Sequence, residues 1–155
     1  MKPIIAVIGG GACTSEEANL AEQTGRLLAQ HGAIVVCGGL GGVMEAVAKG
    51  ARANGGMTVG ILPGADPAAA NAYVDIPLAT GLGEMRNFLI VRTAHALIAI
   101  GGGVGTLSEL ALAQRIGKPV VGLHDSFRNA VDIPRVASAA EAVQWALGRV
   151  NEGVV

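Results

Sequence analysis

The chain has 155 residues, a formal net charge of −1 and 51% hydrophobic residues. That suits one domain with a sizeable core, and it gives no electrostatic case for a nucleic-acid partner or an anionic membrane surface. Mean hydropathy is +0.50, yet no uncharged apolar run approaches the ~20 residues that cross a bilayer. Aromatics make up only 3% while glycine reaches 24 residues, so Ala, Val, Ile and Leu must fill the core and glycine must serve turns and close backbone approaches.

Ile4 to Ile8 is a continuous apolar run, the pattern of a strand buried on both faces. The basic and apolar opening resembles part of a signal peptide, but the run is short and ends in Gly9-Gly10-Gly11 before a helix start. Thr14 with Glu17 forms a capping box for a helix running to about His31, and Gly32 stops it. Ala33 to Cys37 is a second strand, and Gly38-Gly39-Leu40-Gly41-Gly42 leads into a helix over Val43 to Asn54. Met57 to Leu62 is a third strand, ended by Pro63-Gly64 and a small-residue loop over Asp66 to Ala72. A short fourth strand is placed at Tyr73 to Ile76, a loop at Thr80 to Gly83 and a helix at Glu84 to Thr93. His95 to Ile100 is the fifth strand, and Gly101 to Gly105 opens a helix over Thr106 to Ile116, closed by Gly117. Pro119 to Leu123 is the sixth strand. Ser138 with Glu141 caps a last helix that carries Trp145.

Alternating strands and helices with short connections predict a single α/β domain, a Rossmann-like doubly wound parallel sheet with helices on both faces. In such a sheet the strand-to-helix loops gather at the C-terminal edge of the strands, where ligands bind. Three of those loops are glycine-rich: Gly9 to Gly11, Gly38 to Gly42 and Gly101 to Gly105. A helix N-terminus offers unpaired N–H groups and partial positive charge, and glycine lets a phosphate approach that backbone closely. The alternative is that these glycines serve tight turns and helix–sheet packing. The triphosphate pattern G-x-x-x-x-G-K-[ST] is absent. The dinucleotide fingerprint is imperfect as well, because Thr14 stands where its third glycine belongs and the second strand ends without an acidic residue. A monophosphate fits better.

Arg86 and Glu109 stand close to these loops. An arginine there can bind phosphate bidentately or polarise a leaving group. Glu109 is placed in the first turn after the third loop, favoured by the helix dipole. The plain alternative is a surface arginine and a dipole-satisfying glutamate. Cys13 and Cys37 form no disulfide framework and fit a reducing cytoplasm, though both fall near the ligand edge. Among the histidines, His124 follows the sixth strand at that edge, while His31 and His95 do not. Their spacing predicts no metal site. Ser15 and Ser108 lack the G-x-S-x-G setting of a serine nucleophile. Arg92 lies off the face of Arg86 and could serve a second ligand lobe or a dimer partner.

Gly102-Gly103-Val104-Gly105-Thr106-Leu107-Ser108-Glu109 resembles the signature of the Lonely-guy superfamily, once mislabelled lysine decarboxylases. Gly38-Gly39-Leu40-Gly41-Gly42-Val43-Met44-Glu45 resembles its second glycine motif, and Gly60-Ile61-Leu62-Pro63-Gly64 its third-strand ending. Enzymes of that superfamily are phosphoribohydrolases, which cleave the N-glycosidic bond of a nucleoside 5′-monophosphate to free base and ribose 5-phosphate. The resemblance implies a phosphate loop of Gly102, Gly103, Val104, Gly105 and Thr106, with Arg86 and Glu109 as the catalytic pair. It also implies ligand contacts at Gly9, Gly10, Gly11, Gly38, Gly39, Gly41, Gly42, Met44, Pro63 and Asn87. The superfamily's enzymes carry Pro where this chain has Gly101, Lys where it has Asn87, and Leu-Met-Gly where it has Val43-Met44-Glu45. Those departures resemble a shorter branch that includes the molybdenum cofactor carrier proteins. The expectation is therefore a cytoplasmic binder of a phosphorylated nucleotide-like or pterin ligand, with no required cofactor or metal and the molybdenum cofactor as cargo. A phosphoribohydrolase is the second reading and a non-catalytic structural oligomer the third. Scarce surface charge and the resemblance both point to a homodimer or homotetramer.

Overall fold

The computed structural model describes residues 1–152. Seven strands form one parallel sheet in the order β4-β3-β2-β1-β5-β6-β7: β1 (Ile4–Gly9), β2 (Ile34–Cys37), β3 (Met57–Leu62), β4 (Ile76–Ala79), β5 (Ala96–Gly101), β6 (Val120–Asp125) and β7 (Arg135–Val136). The helices are α1 (Ser15–Gln30), α2 (Val43–Ala53), α3 (Arg86–Thr93), α4 (Val104–Ile116) and α5 (Ala139–Val150). The expected α/β doubly wound sheet is the fold observed.

Strand alternation divides the core in two. Ile5 and Val7 of β1 and Ile98 and Ile100 of β5 pack with α1, α2 and α5 on one face. Ala6, Ile8, Leu97 and Ala99 pack with α3 and α4 on the other. With so few aromatics, close packing replaces bulk. A Cβ on Gly25 of α1 would come within 2.1 Å of the Val47 carbonyl, and one on Gly50 of α2 within 2.0 Å of the Glu22 carbonyl. These two glycines let the backbones of α1 and α2 touch.

The chain leaves β1 toward β2, β3 and β4, then returns to the other side of β1 as β5. Strand order therefore reverses between β1 and β5, and a crevice opens above that point.

Several expectations need correction. The fourth strand is Ile76–Ala79 rather than Tyr73 to Ile76. Asn71 turns the chain before it: its Oδ1 accepts from Tyr73 N–H, while Thr58 Oγ1 donates to the Tyr73 carbonyl. The loop expected over Asp66 to Ala72 is present and holds a 3-10 turn at Pro67–Ala69. The helix expected from Glu84 begins at Arg86, after a 3-10 turn at Gly83–Met85. Strand β7, two residues long, escaped notice because so short a run carries no periodicity. Helix α4 starts at Val104, two residues before the expected Thr106. Glu109 consequently lies in the second turn, and the helix dipole is not what holds it.

Candidate functional site

The five helices differ at their N-termini. Thr14 Oγ1 accepts from Glu17 N–H and caps α1, and Ser138 Oγ accepts from Glu141 N–H and caps α5. No side chain caps α2, α3 or α4, which begin after Gly42, Met85 and Gly103. Those three uncapped ends converge on the crevice above β1 and β5. At two of them the chain supplies the acceptor itself: Val43 N–H donates to the Gly10 carbonyl, and Arg86 N–H donates back into the 3-10 turn at Gly83–Met85. The first N–H groups of α4 have no such partner among the described residues, and they are the open backbone donors of the crevice.

The crevice has a volume of about 250 Å³. Its floor is the end of β1 and the glycine loop after it, from Val7 to Gly11. One wall is Gly38, Leu40 and Met44. The other is Glu84, Arg86 and Asn87 with Gly103, Gly105, Thr106 and Glu109. The structure thus brings together, of the residues singled out in sequence, Gly9, Gly10, Gly11, Gly38, Met44, Arg86, Asn87, Gly103, Gly105, Thr106 and Glu109. Gly39, Gly41, Gly42, Gly102, Pro63 and Val104 do not line it. Val104 is 85% exposed. Pro63 accepts from Gly83 N–H at 2.9 Å and shapes the approach to α3. Sequence reasoning missed Val7, Ile8, Leu40 and Glu84. Glu84 stands two residues before Arg86, the only signal that could have found it.

Four polar side chains are buried on this wall: Arg86 at 8% exposure, Asn87 at 2%, Thr106 at 3% and Glu109 at 6%. Arg86 Nη1 donates to Asn87 Oδ1. Asn87 Nδ2 donates to Ser108 Oγ at 3.1 Å, with a longer contact of 3.5 Å to the Gly105 carbonyl. Ser108 Oγ donates to that carbonyl at 2.9 Å. Arg86 Nε is buried with no hydrogen-bond partner. Buried donors are rarely left so, and the exceptions call for a cause. Burial pushes Glu109 up to about 8, against the pull of the Arg86 guanidinium, and Glu84 adds to the rise. At neutral pH this carboxyl holds its proton. Arg86 is then the one charged buried group of the crevice, with a partner missing.

Gly38 makes room for that arginine, since a Cβ there would come within 2.9 Å of Nη2. Gly101 explains the missing proline. Its φ is +57°, and a Cβ there would meet the Glu17 carboxylate. Proline holds φ near −65° and cannot adopt this turn. The register of β5 against β6 shifts at the same place.

The other candidates lie apart. Cys37 is fully buried, and burial pushes its thiol up to about 11, so it stays a protonated core group. Cys13 is half-buried and raised first by burial and then by Glu17. His124 is exposed, with Nε2 3.8 Å from Glu16 Oε2, and Arg92 is exposed on the last turn of α3. None of these four lines the crevice. Among the described residues no cluster of three or more His, Cys, Asp or Glu is placed to hold a metal ion. No helix among them is long and apolar enough to cross a membrane.

Fold and crevice together define a Rossmann-like ligand-binding protein with its crevice at the topological switch point. The SLOG cluster4 family matches residues 2–147, and the chain belongs to that family, within the Lonely-guy superfamily. It is similar to the molybdenum cofactor binding protein of Rippkaea orientalis, at 36% identity and a TM-score of 0.89, over 96% of this chain and 97% of that one. It is similar to the molybdenum cofactor carrier protein of Chlamydomonas reinhardtii, at 34% identity and a TM-score of 0.86, over 97% and 99%. A cytokinin riboside 5′-monophosphate phosphoribohydrolase of Mycobacterium marinum is 36% identical over 126 residues, 78% of this chain and 66% of that protein.

Proposed function

We propose that the protein binds a phosphorylated pterin, with the molybdenum cofactor as cargo, and holds the phosphate between the open N-terminus of α4 and Arg86. The observation that carries this is the buried, unpartnered Nε of Arg86 beside an uncapped helix. An anion would complete both. One buried cation suits one phosphate group better than a chain of them. The similarity to molybdenum cofactor binding and carrier proteins supports the pterin.

The second reading is hydrolysis of a nucleoside 5′-monophosphate, in which water replaces the base and yields ribose 5-phosphate. Glu109, within the electrostatic reach of Arg86, favours it, as does the similarity to the phosphoribohydrolase. The protonation of Glu109 argues the other way at neutral pH. A neutral carboxyl does not stabilise the positive charge of an oxocarbenium-like centre. The absence of lysine at Asn87 removes a second cation.

The test is incubation with AMP and N6-substituted AMP, following free base beside a Glu109→Ala control. A parallel sample is loaded with molybdenum cofactor, gel-filtered, and read by the fluorescence of the oxidised pterin. Retained pterin without base release supports the carrier. Base release that rises with pH through about 8 and vanishes in the variant replaces it with the enzyme. The exposed Leu82 and Met85 just before α3, with Phe88 and Leu89 on it, support a homo-oligomer, which light scattering would measure. The free cysteines suit a reducing cytoplasm.

A further inference from the structure

Arg86 has two edges with different fates. Nη1 is occupied, because it donates to Asn87 Oδ1. Nε and Nη2 share the opposite edge of the guanidinium, the edge that binds an oxyanion with two parallel hydrogen bonds. Nε is buried without a partner, and Nη2 stands against the side-chain-free surface of Gly38. The orientation of the Asn87 amide follows from its neighbours. Ser108 Oγ gives its proton to the Gly105 carbonyl, so it turns a lone pair toward Asn87 and requires Nδ2 there. Oδ1 then faces Arg86. The hydrogen bonds run in one direction, from arginine to amide to hydroxyl to the carbonyl of the glycine loop.

We infer that Asn87 and Ser108 are positioning residues that hold the Nη1 side of Arg86, so that the Nε–Nη2 edge is fixed toward the anion held by the Gly103–Thr106 loop. This rests on the reading that the crevice binds a phosphate group, and it adds which edge of the arginine does so and what aims it. Ser108 is exposed and does not line the crevice, so it acts only through Asn87. Loop and arginine are thereby joined: the carbonyl that ends the chain belongs to Gly105, whose neighbours offer their amides to the ligand. A lysine at position 87 would supply a second cation but could not accept from Nη1.

The experiment uses ¹⁵N-labelled full-length protein with inorganic phosphate and AMP as probes, and follows both the Arg86 Nε–H resonance and the backbone amides of Gly103 to Thr106. In the parent both sets of signals should shift on titration. Ser108→Ala should weaken AMP binding about tenfold, the order of one hydrogen bond supporting a charged group. It should also abolish the Nε–H shift, leave the amide shifts in place, and move the thermal midpoint by no more than about 2 °C. Ser108→Thr, which keeps the hydroxyl, should restore the parent behaviour. Amide shifts in the parent with an unmoved Nε–H signal, or a Ser108→Ala protein with parental affinity and Nε–H shift, overturn the inference while leaving phosphate binding intact. If neither probe moves either set of signals in the parent, the inference and the reading beneath it both fall.

Discussion

Two arginines near the C-terminal edge of the sheet, Arg135 half-buried and Arg86 buried, have opposite surroundings. Arg135 is paired throughout: Nε and Nη2 meet the two oxygens of Asp125 at 2.9 and 3.1 Å, and Nη1 and Nη2 reach the Ile133 and Val131 carbonyls. Asp125 also accepts from Phe127 N–H. That cluster ties the 126–134 segment to β6 and asks for nothing further. Arg86, at the start of α3, has one side-chain acceptor and a buried Nε without any. Its nearby carboxyl, Glu109, is held protonated rather than paired. A buried charge satisfied from within is a staple, and one left incomplete marks where a ligand supplies the rest.

The contrast can be broken by removing charges one at a time. The largest effect is expected from Asp125→Ala, which strands Arg135 and should cost about 4 kcal/mol of stability in a urea titration. Next comes the pH dependence of Glu109. Its folded value near 8 exceeds the ordinary 4.5, so the folded state keeps a proton that the unfolded chain has already lost. Stability therefore falls as pH rises from about 4.5 to about 8 and levels off above that. Glu109→Gln should remove this slope and be more stable than the parent above pH 8. Coincident urea curves for the two proteins at pH 5 and pH 9 would refute it.

Arg86→Met should lose about 2 kcal/mol of AMP or phosphate affinity by calorimetry, yet unfold at the same urea concentration or higher, since it relieves an unpartnered buried charge. A loss of stability like that of Asp125→Ala would mean the two arginines do the same job. The smallest change is expected from the paired replacement Asp125→Leu with Arg135→Met. Removing both charges together should leave stability within about 1 kcal/mol of the parent, and a double-mutant cycle measures the difference.

Much of this is written in the chain. The runs at Ile4, Ala33, Met57, His95 and Pro119 are strands because long apolar stretches bounded by glycine or proline have few other homes. Thr14 and Ser138 announced their helices because capping is local chemistry. The ends of β4, α3 and α4 were not legible. Tyr73 yields its place to Ile76 because Asn71 and Thr58 take the intervening backbone into a turn. Glycines 103 and 105 disguise the start of a helix that propensity alone places later.

By itself, then, the sequence determined the layer architecture, the edge at which the glycine loops gather, and the family, since these depend on periodicity and on contiguous motifs. It named Arg86, Asn87 and Glu109 as candidates but could not tell a surface arginine from a buried one. Burial, the orphaned Nε, the direction of the Asn87 amide and the protonation of Glu109 arise only when β1, β2, α3 and α4 meet. Desolvation and hydrogen-bond geometry belong to neighbours in space, and residues such as Gly38, Arg86 and Ser108 are far apart along the chain.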